Sequence, residues 1–256
     1  MSYLDKIAKP ADRPAIMTIT GDAGIGKTSM AATMPNPIFI RAEDGLQAVP
    51  VDIRPDAFPV LTSIDDLWGQ IRDLIKEEHD YKTVVIDSVT QLDQMFVQHI
   101  VDSDGSNPKS INQAMGGYGA GLQAVGQLHQ RLRSGCAILN ERRGMHVVFI
   151  AHADTVMVEL PDQDPYTRYD LRLNKRSVSP YVDNVDLVGF IKLEMFTRGD
   201  GDRKKAISSG QRVMIAYTTA SNISKNRYGI SDDIRVEFGV NPLTDYIPAL
   251  KQESAK

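Results

Sequence analysis

Gly21, Asp22, Ala23, Gly24, Ile25, Gly26, Lys27 and Thr28 follow the spacing G-x-x-x-x-G-K-[ST]. Each residue type in that pattern has a task around a phosphate. Glycines let successive backbone N–H groups turn toward one anion. Lys27 has the length to reach the terminal phosphates, and the Thr28 hydroxyl is a hard oxygen ligand for Mg²⁺. Ser29 continues the loop into a helix whose first N–H groups face the same point. Residues 21–29 are therefore expected to bind ATP together with Mg²⁺.

A metal ion bound there needs a carboxylate beside Thr28. Asp87 ends the apolar run Thr83-Val84-Val85-Ile86 and is the candidate metal ligand. Hydrolysis also needs a group that takes a proton from the attacking water. The residue after Asp87 is Ser88, so the base has to come from another strand end. Glu43 is the candidate, with Asp44 a weaker one. His152 follows another apolar strand, 146–151, where a polar side chain would sense the γ-phosphate. Lys225 and Arg227 lie in a basic turn, Ser224-Lys225-Asn226-Arg227-Tyr228-Gly229. That turn could present Arg227, and with it Lys225, to the nucleotide of a neighbouring subunit, since a guanidinium pairs two phosphate oxygens at once. Arg168, Arg172, Lys175 and Arg176 share one polar, irregular stretch with Tyr166, Tyr169 and Tyr181. Cations for phosphates and rings for bases suit single-stranded DNA. Arg198, Arg203, Lys204 and Lys205 form a second basic group. His79, His99, His129 and His146 have no ligand spacing and are expected to be structural.

The elements that must position these residues alternate between strand and helix, the pattern of an α/β fold with a mostly parallel central sheet. Ile16-Met17-Thr18-Ile19-Thr20 leads into the glycine loop, and Pro37-Ile38-Phe39-Ile40-Arg41 leads to Glu43. A helix is predicted over 64–78 from its i, i+3, i+4 apolar spacing, and another over 91–101. Residues 102–121 read as a long loop. A further amphipathic helix begins near Leu122 and is expected to stop at Ser134-Gly135. Residues 154–186 turn polar, and strand signals return at 187–195 and 212–219 with a polar hairpin over 198–210 between them. Residues 246–250 could make one helical turn.

The chain of 256 residues has a net charge of −4, yet residues 130–230 carry +5 and the remainder −9. The basic excess follows the phosphate loop in sequence and points weakly to an anionic partner there. No apolar run approaches the ~20 residues of a membrane span. Cys136 is the single cysteine, which excludes an internal disulfide and a cysteine metal cluster. With no apolar leader, a cytoplasmic location is expected.

Taken in order, these segments resemble the RecA-like recombinase core. Ile38-Phe39-Ile40-Arg41-Ala42-Glu43 is similar to the segment that ends in that family's catalytic Glu. Val84-Val85-Ile86-Asp87-Ser88-Val89 is similar to its metal-binding strand. His152 stands where the family has a polar sensor, usually Gln. The segment after it corresponds to a DNA-binding loop, which implies DNA contacts within 155–186. The 225–229 turn resembles the arginine-finger turn of DnaB-type helicases. Over residues 15–239 the chain looks most like short phage ATPases of single-strand annealing and recombination. That resemblance implies several things together: a single RecA-like domain over 1–256, with a lead-in at 1–13, a DNA-binding loop at 154–186 and a polar tail at 251–256; a homo-oligomer with ATP between subunits; single-stranded DNA and a single-strand-binding protein as partners; and the cytoplasm of a phage-infected bacterial host. A DNA-translocating helicase motor and a nucleotide-gated loader with little turnover are the alternatives. A small-molecule kinase lacks support, because no lid-like arginine cluster is present.

Overall fold

Runs of β-branched and aromatic residues, buried on both faces, set the centre of the sheet. The computed structural model describes residues 2–9, 11–198 and 205–254. Its strands are β1 (Ile16–Gly21), β2 (Pro37–Arg41), β3 (Asp56–Ala57), β4 (Thr83–Asp87), β5 (His146–Leu160), β6 (Gln163–Leu171), β7 (Leu187–Arg198), β8 (Lys205–Ile215), β9 (Lys225–Asn226) and β10 (Ile234–Val236). The helices are α1 (Lys27–Ala31), α2 (Ile64–Lys76), α3 (Val89–Ser103), α4 (Ala120–Arg143), α5 (Ser179–Val182) and α6 (Pro248–Ser254). Strand order is β10-β8-β7-β1-β5-β4-β2-β3, with β6 paired to β5 and β9 to β7. The pairs from β7 through β3 are parallel, and β8, β10, β6 and β9 join antiparallel. This is the mostly parallel α/β sheet that the sequence predicts.

Because successive side chains face opposite sides of a strand, each central strand feeds two cores. Ile38, Ile40, Val84, Ile86, Val147 and Phe149 pack under α2, α3 and α4 with Leu67, Leu92, Phe96 and Leu132. Phe39, Val85, Val148 and Ile150 face the other way, against Met30 and Ala31 of α1 and Leu250 of α6. Both faces are covered, so these strands read as continuous apolar runs.

Register brings the chemistry to one edge. Gly21 pairs with His152, Arg41 with Asp87, and Asp87 with Ile150. The phosphate loop, Glu43, Asp87 and His152 therefore all leave the carboxyl ends of parallel strands, where ligands of open α/β sheets bind.

Three expectations are corrected. The helix thought to stop at Ser134-Gly135 runs on to Arg143, and Gly144, at φ +64°, is its C-cap. Gly135 is a close-approach glycine instead: a Cβ there would stand 3.2 Å from Ile71 Cγ2 on α2. The strand over 146–151 continues to Leu160, and the irregular stretch after it starts as a β5–β6 hairpin, with Ala153 opposite Leu171 and Val156 opposite Arg168. Residues 157–168 are mostly exposed on both faces, so no apolar alternation marks them as strand. The Arg198/Arg203/Lys204/Lys205 group lies between β7 and β8 in sequence, and residues 199–204 and the side chains of 196–207 lie outside the described residues.

Candidate functional site

The loop from Gly21 to Gly26 is shaped by close packing as much as by flexibility. Gly21 sits at φ +151°, and a Cβ on it would lie 2.4 Å from the Ile191 carbonyl oxygen of β7. Gly26 (φ +101°) precedes the first turn of α1, which starts at Lys27. Lys27 is only 5% exposed. Its Nζ donates to the carbonyls of Gly21 at 2.9 Å and Asp22 at 2.8 Å, and lies 3.5 Å from His152 Nδ1. Burial pushes its pKa down to about 8, against the pull of Asp87, Glu43 and Asp22. A buried ammonium held by neutral carbonyls beside a glycine turn fits a polyphosphate.

Thr28 Oγ1 donates to Asp87 Oδ2 at 2.9 Å. Asp87 is 3% exposed, and burial raises its pKa to about 6. One hydroxyl and one carboxylate side by side are the hard oxygen donors that Mg²⁺ takes with nucleotide phosphates. Among the described residues there is no group of three or more His, Cys, Asp or Glu that could hold a metal by protein ligands alone. The cavity they line, with Gly24, Gly26 and Ile150, measures about 250 Å³. That is below the roughly 300–1,000 Å³ of pockets that enclose a drug-sized ligand.

Glu43 Oε1 lies 3.4 Å from His152 Nε2. The His152 contact, with a hydrogen bond from Ser88, holds the Glu43 carboxyl below its usual pKa. Glu43 is therefore an ionised acceptor at neutral pH. Asp44 is tied elsewhere, to Arg41 at 2.9 Å and Gln47 at 3.0 Å. His152 itself is fixed through its backbone, whose N–H donates to Thr90 Oγ1 at 2.9 Å. Lys27, Thr28, Glu43, Asp87 and His152, predicted from four separate segments, meet in one cleft.

Lys225 and Arg227 do not join them. Lys225 Nζ donates to the Asp183 carbonyl at 2.7 Å, and Arg227 pairs with Asp186 Oδ1 at 3.0 Å, a carboxylate it shares with Arg13. Asp186 precedes β7, five residues before Ile191, the partner of Gly21. At the rise of a strand that is roughly 16 Å from the loop. This turn lies at the amino end of the sheet and cannot reach the nucleotide loop of its own chain.

The four basic residues expected to contact DNA follow the strand that bears His152. Arg168 stands on β6, paired with Asp170 at 3.0 Å. Arg172 sits at the base of the hairpin: its N–H donates to the His152 carbonyl at 2.8 Å, and its Nη2 to the Ala153 carbonyl at 3.1 Å. Lys175 and Arg176 occupy the short 3₁₀ turn that follows, with Arg176 Nη1 bonded to the Gly119 carbonyl at 2.7 Å. The aromatic part of the expectation is corrected. Tyr181 is fully buried, with its hydroxyl 2.6 Å from His129 Nδ1 and the other His129 nitrogen 2.9 Å from Asp93. Only Tyr166 and Tyr169 remain accessible, and Tyr169 stacks on Phe190. His146 is structural as expected: its Nδ1 accepts from the Ala15 N–H at 3.0 Å. One cation at the loop escaped the sequence reading. Arg212 of β8 lies against Gly26, and only the β7–β8 register, invisible in the sequence, brings it there.

Known proteins bear on this arrangement. The chain is 22% identical over 227 residues to a protein of Bacillus subtilis (strain 168) described as SPbeta prophage-derived uncharacterized protein YorG. The match covers 87% of this chain but 62% of that relative. A solved structure of the RadB recombinase aligns with a TM-score of 0.48 and 12% identity, over 91% of this chain and 93% of that one. Among the described residues no helix is long and apolar enough to cross a membrane. The family profile of AAA_24, an AAA domain, matches residues 13–228, and the chain belongs to that family.

Proposed function

We propose that this protein is a Mg²⁺-ATP-dependent, single-stranded-DNA-binding recombinase or annealing protein of phage type. One observation carries the reading. His152, in contact with both Lys27 and Glu43, lies on a strand that continues without a break into the exposed hairpin bearing Arg168. The residue that closes that hairpin, Arg172, is bonded to the His152 carbonyl. The prophage origin of the Bacillus subtilis relative agrees with the phage setting.

In this reading the loop amides and Lys27 hold the phosphates, and Thr28 and Asp87 hold Mg²⁺, which neutralises charge on the phosphates when bound. Glu43 takes the proton of a water whose oxygen attacks the γ-phosphorus. The bond from that phosphorus to the β–γ bridging oxygen breaks, leaving ADP and phosphate. His152 responds to the presence of the γ-phosphate and moves the base of the hairpin. Arg227, out of reach of its own nucleotide, serves the site of the next subunit in a homo-oligomer, with residues 1–256 acting as one unit. A single-strand-binding protein is the expected protein partner.

The test is steady-state ATP hydrolysis with and without single-stranded DNA. Wild-type protein should hydrolyse ATP faster with DNA. Glu43→Gln should bind ATP as tightly while turnover falls about 10²–10⁴-fold. Normal hydrolysis by that variant removes Glu43 as the base, and no DNA stimulation in the wild type removes the coupling.

A further inference from the structure

Strand β8 carries a cation to the phosphate loop from the side opposite His152. Met214 pairs with Ile191, whose other neighbour is Gly21, and Arg212 pairs with Leu193, two residues further out. Residues two apart share a face, so Arg212 projects on the face of Met214, which is buried in the core layer of Met30 and Ala31. Arg212 thus passes the sheet edge on the α1 side. A Cβ built on Gly26 would stand 3.1 Å from its Nη1, 3.5 Å from Cζ and 3.7 Å from Nε. The whole guanidinium lies along the loop.

Among the described residues this guanidinium makes no hydrogen bond and no ion pair. Arg168, Arg172, Arg176 and Arg227 all have acceptors. A guanidinium has five donors in a planar fork suited to phosphate oxygens. Arg212 is half-buried beside the glycine loop, with its fork of donors along Gly26.

We infer that Arg212 is a ligand of the nucleotide bound to its own chain, contacting the α- and β-phosphates. The inference rests on the nucleotide-binding reading above and adds a residue to it. The γ end of the site is surrounded by Lys27, Glu43 and His152, on the β5, β4 and β2 side of β1. Arg212 comes from the β7–β8 side and does not line that cavity, although Gly26 does. It stands at the rim, where the α-phosphate and nucleoside emerge.

Calorimetric titration of the full chain with ATP and with ADP, in Mg²⁺, tests this. Arg212→Ala and Arg212→Gln should each lose about 10- to 100-fold in affinity. The loss should be the same for both nucleotides, because neither contact involves the γ-phosphate. Arg212→Lys should recover part of it, and the melting temperatures of the nucleotide-free proteins should coincide. Affinities within twofold of wild type overturn the inference, and so does a loss confined to ATP. Lys27→Ala separates the two levels. If wild type binds ATP, Lys27→Ala does not and Arg212→Gln binds normally, only this inference falls. If wild type binds neither nucleotide, the nucleotide-binding reading falls first.

Discussion

Two glycines of the same loop should respond to alanine with very different losses of stability. At Gly21 the added Cβ would meet the Ile191 carbonyl oxygen at 2.4 Å and Ile25 Cγ2 at 3.1 Å. Ile191 is backbone, held in the β1–β7 ladder by its pairing with Gly21, so it cannot swing aside. Relief to ordinary contact requires about 1 Å of separation between the two central strands. Overpacking of this kind costs ~1–3 kcal/mol, and the positive φ of +151° adds ~1 kcal/mol. Weakening the ladder hydrogen bonds at that point adds ~1 kcal/mol more. Gly21→Ala should therefore lose about 3–5 kcal/mol. At Gly24 the φ is +74° and nothing lies within 4 Å of a built Cβ. The cost there is the left-handed conformation alone, ~1–2 kcal/mol, offset by ~0.4–1 kcal/mol of lost freedom in the unfolded chain. Gly24→Ala should therefore lose no more than about 1.6 kcal/mol. Urea unfolding of the two variants measures both. Equal destabilisation would refute the reasoning, because it would mean that the loop needs glycine for its torsions only and not for its contact with β7.

Two further predictions concern charge. Replacing Arg172, Lys175 and Arg176 together by Ala should weaken single-stranded DNA binding and flatten the plot of log affinity against log salt by about 2, at ~0.7 per phosphate contact; an unchanged slope would take this segment out of the interface. Burial lowers the pKa of His146 to about 4 from 6.5. Between those values the unfolded chain binds the extra proton, so stability is lost as pH falls from 6.5 through 4, by up to roughly 3 kcal/mol. Urea unfolding across that range, compared with His146→Asn, isolates the effect, and parallel profiles for the two proteins would contradict it.

The parts of the site that lie on buried parallel strands were legible. Val84-Val85-Ile86-Asp87 reads as a strand ending in a carboxylate because both faces of β4 are packed and the apolar run is unbroken. The glycine motif fixes Gly21 and Lys27 because each residue type there has a defined task. Legibility fails where neighbours in space decide. Gly135 looks like a helix stop by propensity, but Ile71 makes it a contact. Tyr181 looks like a base-stacking ring among arginines, whereas its hydroxyl is committed to His129 in the core. The β5–β6 hairpin gives no apolar alternation because neither face of its outer part is covered. Arg212 is one arginine on an edge-side strand until β7 aligns it with the loop.

Strand order explains how one bound phosphate could be felt at a distance. β5 lies between β1 and β4, so a single strand passes between the phosphate loop and Asp87 and then leaves the core as the hairpin. Its buried half is packed on both faces and cannot slide by small amounts without disturbing both cores. A hinge for the proposed motion would fall at its exit, at His152 and Ala153, where Arg172 is bonded to both carbonyls. A ligand shifts such an equilibrium only by the difference in its contacts with the two states. In the proposed coupling, one charge-assisted hydrogen bond between His152 and a γ-phosphate would supply ~1.5–3 kcal/mol, a 10- to 150-fold shift in hairpin population. Under the proposed function ADP would lack that contact and keep those to Lys27 and the loop amides, so exchange of nucleotide would switch the hairpin without emptying the site.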